Sequence, residues 1–280
     1  VSGTLEVKDL TKDFRLRGGF KRKTLRAANE INFTLHQGKT IALVGESGSG
    51  KSTIARMIAK LEKPSSGDIL LDGEPTPFKG RGVASYRHDV QMVFQDPFAS
   101  LNPYHSIQHH LERPLKLHGK AKTKEEVEEQ VDALLERVGL TPARNVAVRR
   151  PHELSGGQRQ RVAIARALAP GARFLIADEP VSMLDVSIRL GVLNLLARLQ
   201  REEQLGVLYI THDLATARHF SDEIMVMYHG NIVERGPSDD VILNPQHDYT
   251  KTLLAAAPDP KNQGKLREEV QAKLAQNSAV

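Results

Sequence analysis

The spacing of apolar positions changes repeatedly along the chain, and each change marks an element. Leu5-Glu6-Val7 and Ile31-Asn32-Phe33-Thr34-Leu35 alternate apolar with polar residues, as strands with one buried face do. Thr40–Val44, Val90–Phe94, Phe174–Ala177 and Val207–Ile210 are instead apolar runs, the mark of strands covered on both faces. Turn clusters at Pro64–Asp68 and Asp72-Gly73 frame a short strand, Ile69–Leu71. Helical spacing begins at Thr53–Lys60 and is clearest over Lys124–Val138, where Val127, Val131, Leu134, Leu135 and Val138 share a face. Thr123 and Glu126 form a capping box for that helix and Gly139 stops it. A helix through Leu168 places Val162, Ala165 and Ala169 together. Asp185 is placed to cap another, about 186–203, whose Leu190, Leu193, Leu196 and Leu199 call for burial and which Gly206 ends. Ile224–Met227, a turn at His229-Gly230-Asn231 and Ile232–Glu234 read as a hairpin. A short helix opens at His247–Thr250, Pro258 and Pro260 break it, and Leu266, Val270 and Leu274 mark a last helix. The sum is an α/β chain: an N-terminal β part leads into a core of apolar strands, with a helical subdomain inserted at about 96–170.

Composition narrows the classes. With 40% hydrophobic and 26% charged residues, 280 residues can bury a large core. No stretch approaches the roughly 18 uninterrupted apolar residues of a membrane span. No basic, apolar, small-residue leader pattern opens the sequence, so the expected compartment is the cytoplasm. The absence of cysteine excludes disulfides, cysteine-bound zinc and iron–sulfur clusters. The net charge of +5 is spread along the chain. Its densest cluster, Arg15, Arg17, Lys21, Arg22, Lys23 and Arg26, includes one aromatic neighbour, Phe20, and reads as a solvated hairpin tip; no nucleic-acid partner is expected.

The chemistry begins at Gly45-Glu46-Ser47-Gly48-Ser49-Gly50-Lys51-Ser52, between an apolar strand and a helix, which fits a phosphate-binding loop. Gly45, Gly48 and Gly50 let the backbone curl with N–H groups inward, Lys51 reaches terminal phosphates, and the Ser52 hydroxyl suits Mg2+. The helix continuing through Thr53 adds its positive end. At the end of a later strand, Asp178 and Glu179 offer one carboxylate for Mg2+ through its water shell and a second, one position on, for an attacking water. His212 stands at another strand end, where a γ-phosphate could lie. Leu154-Ser155-Gly156-Gly157-Gln158 precedes a helix, and Ser155 can either cap that helix or donate to phosphate.

These blocks, in this order, resemble the nucleotide-binding subunit of an ATP-binding cassette (ABC) transporter over essentially the whole chain. The resemblance implies an ABC-type P-loop NTPase core with an N-terminal antiparallel β subdomain and an inserted helical subdomain, spanning 1–257, and a C-terminal extension, 258–280. It implies that Phe14 stacks on adenine. Gln95 becomes the glutamine loop, Ser155 to Gln158 the signature that contacts nucleotide, Asp185 the Asp loop and His212 the switch histidine. ATP would be held by Phe14, Gly45, Ser47, Gly48, Gly50, Lys51, Ser52, Thr53, Gln95, Ser155, Gly156, Gly157, Gln158 and Asp185, and Mg2+ by Ser52, Gln95 and Asp178. Glu179, His212 and Lys51 would be catalytic. Met183 departs from the small residue usual before Leu184-Asp185. The residues around Gly45–Ser52, Met92–Pro103 and His247–Leu254 look like the oligopeptide, dipeptide and nickel importer branch, whose members also serve oligosaccharides and opines. The implied role is an ATPase that energises import, most simply of peptides. It would sit peripherally at the cytoplasmic face of the membrane, with two permease subunits, a second cassette head-to-tail and an extracytoplasmic binding protein. The rival readings are a soluble, non-transport cassette ATPase and a regulatory module without hydrolysis.

Overall fold

A computed structural model describes residues 3–16 and 23–256. Of the solvated hairpin tip expected over 15–26, residues 17–22 lie outside the described residues, as do the prolines at 258 and 260 and the last helix. Two long antiparallel strands open the chain, β1 (Thr4–Leu16) and β2 (Lys23–His36), followed by β3 (Thr40–Val44), α1 (Lys51–Ile58), β4 (Ser66–Leu71), β5 (Glu74–Pro75), α2 (Arg81–Asp89) and β6 (Val90–Val93). Helices alone follow: α3 (Pro97–Ser100), α4 (Ile107–Leu117), α5 (Lys124–Arg137), α6 (Ala143–Ala147) and α7 (Gly156–Leu168), with one 3-10 turn at Pro151–Glu153. The core resumes with β7 (Phe174–Asp178), α8 (Val186–Glu203), β8 (Gly206–Thr211), α9 (Leu214–Phe220), β9 (Glu223–Tyr228), β10 (Asn231–Pro237), α10 (Ser238–Leu243) and α11 (Asp248–Ala256).

Two sheets result. The first is four-stranded in the order β2-β1-β4-β5, and the second six-stranded in the order β10-β9-β3-β8-β7-β6. In the second sheet β9, β3, β8, β7 and β6 run parallel, and β10 pairs antiparallel with β9 across the His229-Gly230 turn. Side chains on a strand alternate between faces, so an all-apolar strand must be covered twice. Ile41, Leu43, Phe174, Ile176, Leu208 and Ile210 pack with the first sheet and α1. Their neighbours Ala42, Val44, Leu175, Ala177, Val207 and Tyr209 pack with the helices on the other side. Strand carboxyl ends Val44, Asp178 and Thr211 therefore lie side by side, the place where ligands meet parallel sheets.

Several readings of the sequence need correction. Strand β6 ends at Val93, before Phe94, and Ser66–Asp68 belong to β4 rather than to a turn. Helix α8 ends on Gln204 in the left-handed conformation (φ 51°), while Gly206 already starts β8. Leu190 is 56% exposed because the buried face of α8 runs through Val192, Leu193, Leu195, Leu196 and Leu199. Asp185 occupies the cap position of α8 but makes no side-chain cap bond; its backbone oxygen accepts from Ile188 and Arg189 instead. Helix α2 has no apolar stripe in sequence, and Tyr86 alone of its described side chains is buried, its hydroxyl donating to Ile58 O at 2.7 Å.

Candidate functional site

The loop after β3 is shaped by close backbone approach. At Gly50, φ is +112° and a side-chain carbon would fall 2.0 Å from Ala27 O, so no other residue fits. Helix α1 then starts with no side-chain cap and no acidic residue in its first turn. Its leading N–H groups and positive end are arranged for an anion. Lys51 Nζ is buried inside the loop, donating to Gly45 O at 2.7 Å and Glu46 O at 2.8 Å. Burial holds its pKa below the ordinary lysine value, opposed by the charges of Glu179, Asp178 and Glu46. A desolvated ammonium of this kind interacts more strongly with a polyanion than one in water does.

The carboxylates converge from β7. Asp178 is buried at the strand end and accepts from Ser52 Oγ at 3.1 Å. Its pKa is raised, mainly by burial and further by Glu179, with the Ser52 bond opposing. Glu179 takes a left-handed backbone (φ 45°), rare for a residue with a side chain, while Ser182 N and Oγ both donate to its carbonyl. This sharp turn sends the Glu179 carboxylate into the cavity, where Gln95 Nε2 donates to Oε2 at 3.0 Å and His212 Nδ1 lies 3.4 Å from Oε1.

A cavity of about 650 Å³ collects these groups: Gly45, Ser47, Gly48, Gly50, Lys51, Ser52, Thr53, Gln95, Glu179 and His212 line it, with Phe14. Glu46 of the loop, Leu25 and Ala27 of β2 and Leu253 of α11 complete the lining, and no motif marks the last three. The pairing of Phe14 with Leu25 is a matter of β1–β2 register, and no motif announces it. Asp178 reaches the site through Ser52 and lines a second cavity, of about 910 Å³, next to Gln95.

Ser155, Gly156, Gly157, Gln158 and Asp185 do not line the nucleotide-sized cavity. They gather elsewhere on the chain. Ser155 Oγ accepts from Gln158 N at 3.3 Å and Gln158 Oε1 from Ser155 N at 3.0 Å, a reciprocal capping box at the start of α7. Gly157 packs on α8: a side-chain carbon there would lie 2.5 Å from Ile188 Cγ2. The Arg159 guanidinium covers the Phe98 ring at 4.2 Å, and Phe98 N is held with Ala99 N by Asp96 Oδ1. The segment from Gln95 to Phe98 thus runs from the cavity to the base of α7.

Residues 28–182 match the ABC transporter family, and residues 233–279 match the C-terminal region of oligopeptide/dipeptide transporters. The chain belongs to the ABC transporter ATPases, in their oligopeptide/dipeptide branch. The oligopeptide transport ATP-binding protein OppF of Bacillus subtilis (strain 168) is 45% identical over 91% of this chain and 83% of its own length. OppF of Escherichia coli (strain K12) is also 45% identical, over 91% of this chain and 78% of its own. The glutathione import ATP-binding protein GsiA of Pectobacterium atrosepticum is 44% identical over 95% of this chain, which spans only 43% of that longer protein. Among solved structures, the ATP-binding cassette MJ0796, a dimer in a post-hydrolysis state bound to ADP and Pi, superposes with a TM-score of 0.73 at 30% identity, covering 84% of this chain and 98% of its own. CbiO1 from Clostridium perfringens, part of the transporter complex cbiONQ, gives 0.74 at 28% identity, covering 94% of this chain and 98% of its own. The cassette is therefore a nucleotide-binding ATPase coupled to transport. Among the described residues, none of its helices is long and apolar enough to cross a membrane.

Proposed function

We propose that the cassette binds MgATP in the cavity between Phe14 and Lys51 and hydrolyses it only when a second cassette, identical or related, supplies its own signature from outside. The observation that carries this reading is the separation of Ser155–Gln158 from the cavity lined by Gly45–Thr53, Glu179 and His212. Head-to-tail pairing would bring the signature of one cassette onto the nucleotide of the other, and charge-assisted bonds of about 1.5–3 kcal/mol each to the γ-phosphate would favour closure. The MJ0796 dimer supports such a pairing.

Within the site, the Glu179 carboxylate orients and accepts a proton from the attacking water, with Gln95 and His212 fixing it from either side. His212 faces the γ-phosphate, Lys51 offsets its developing charge, and Phe14 supports the base. Ser52, Asp178 and Gln95 are the oxygen donors suited to Mg2+, which when bound offsets phosphate charge. Among the described residues no three His, Cys, Asp or Glu side chains form a metal cage, and Mg2+ needs none, since phosphates and waters fill most of its shell. The cavity beside Gln95, with Arg56, Arg87, Arg113, Phe94 and Leu117 on its walls, is shaped to receive a segment of a permease subunit. The implied complex has two permeases, two cassettes and an extracytoplasmic binding protein, places the cassette at the cytoplasmic face, and carries peptides; the likeness to the OppF proteins and to GsiA supports peptide cargo over nickel or sugar.

Replacing Glu179 with Gln tests the hydrolytic assignment. Turnover by the assembled transporter is expected to fall by about two to four orders of magnitude while ATP affinity is kept. Phosphate release at the wild-type rate would remove Glu179 from the role.

A further inference from the structure

Helix α11 belongs to the region matched by the oligopeptide/dipeptide C-terminal family, yet it reaches the nucleotide cavity. Its start is pinned to the core sheet by Glu234 of β10, whose carboxylate accepts from Gln246 N at 2.8 Å and His247 N at 3.0 Å. From that anchor the Tyr249 ring packs on Tyr228, with centroids 4.1 Å apart, and the Tyr249 hydroxyl accepts the Glu46 N–H of the phosphate loop at 3.1 Å. Burial pushes the Tyr249 phenol up, opposed by the Glu46 bond, so a neutral hydroxyl makes this contact. Glu46 is thereby gripped twice: Tyr249 holds its N–H, and Lys51 Nζ donates to its carbonyl at 2.8 Å. The loop is tied to the same hairpin a second time, where Gly230 N donates to Ser49 O at 3.0 Å. One helical turn beyond Tyr249, on the same face of α11, Leu253 joins Phe14, Leu25 and Ala27 in the apolar wall of the cavity.

We propose that Tyr249 is a positioning residue for the phosphate loop and Leu253 a binding residue for the nucleoside part of ATP, so that the C-terminal region forms a wall of the nucleotide site. This rests on the ATP-binding reading of the cavity. Loop and wall make different demands on a ligand. Tyr249 shapes the part that receives phosphates, whereas Leu253 offers apolar surface that a bare polyphosphate does not use.

The test is calorimetric titration of the 280-residue chain with MgATP and with magnesium tripolyphosphate. Tyr249→Phe, which keeps the ring on Tyr228, is expected to weaken both ligands about three- to tenfold, the worth of one neutral hydrogen bond. Leu253→Ser is expected to weaken ATP by about the same factor and leave tripolyphosphate unchanged. The circular dichroism of Tyr249→Phe should match wild type and its thermal midpoint should fall by no more than about 5 °C, the cost of one hydrogen bond, which separates loop positioning from a general loss of structure. If wild type binds ATP and either variant binds both ligands as wild type does, the inference is overturned while the ATP reading stands. If the wild-type chain binds neither ligand, the ATP reading falls and this inference with it.

Discussion

Lys51 and Lys60 are both buried, at either side of α1, but Lys51 has three carboxylates acting on it and Lys60 one. Lys51 has Glu179, Asp178 and Glu46 around it, which favour its charged form, and it lines the loop cavity. Removing it as Lys51→Ala should cost about one to two orders of magnitude in ATP affinity, the range for charge-assisted hydrogen bonds, and equal affinities by titration would contradict the loop assignment. Lys60 sits instead with its ammonium 3.6 Å from the Phe78 ring centroid and 4.9 Å from that of Tyr86, donating to Thr76 O at 3.1 Å. Burial pushes its pKa down to about 8, against a weaker pull from Asp68. Between pH about 8 and the ordinary value of 10.5 the unfolded chain still holds this proton while the folded chain has released it, so stability rises with pH across that window. Urea midpoints of wild type minus those of Lys60→Met should be flat below the window and climb through it. Parallel curves would show that Lys60 is not desolvated.

At the scale of elements, two of the helix caps that sequence alone suggests, at Thr123 and Asp185, behave differently. Thr123 Oγ1 accepts from Glu126 N at 3.1 Å and Glu126 Oε2 from Thr123 N at 3.2 Å, so Thr123→Ala should cost about 1 kcal/mol in urea denaturation. Asp185→Ala should change stability by only a few tenths of a kcal/mol, since its side chain makes no cap bond. The capping box of α5 is legible because its partners lie within one turn of chain. The same locality makes the phosphate loop, Asp178, Glu179 and His212 legible, since each stands at the end of an apolar strand. What stays hidden depends on contacts between distant elements. Helix α2 packs on the apolar core beneath the first sheet through Tyr86, Leu190 points away from the buried face of α8, Leu25, Ala27 and Leu253 reach the cavity through β1–β2 register and the docking of α11, and Tyr249 reaches Glu46 by the same docking. No spacing rule carries that information.

At the scale of the whole molecule, one chain keeps its phosphate-type loop and Ser155–Gln158 apart. The cavity around Lys51 has the loop, Glu179 and His212, while Ser155–Gln158 lie outside it, with Gly157 packed against Ile188. The segment Gln95–Phe98 joins the two, with Gln95 on Glu179 and Phe98 under Arg159 at the start of α7. On the proposed function, this segment is the route by which nucleotide state would pass to the helical part. The most direct test is ATP turnover by the assembled transporter carrying Ser155→Arg in this chain, after titration has shown that the dilute variant binds ATP as wild type does. A site completed by another cassette requires turnover to fall at least about tenfold despite intact binding, as loss of a preorganised γ-phosphate donor would produce. Turnover at the wild-type rate would mean that each chain hydrolyses ATP without a neighbour's signature, and would contradict the account.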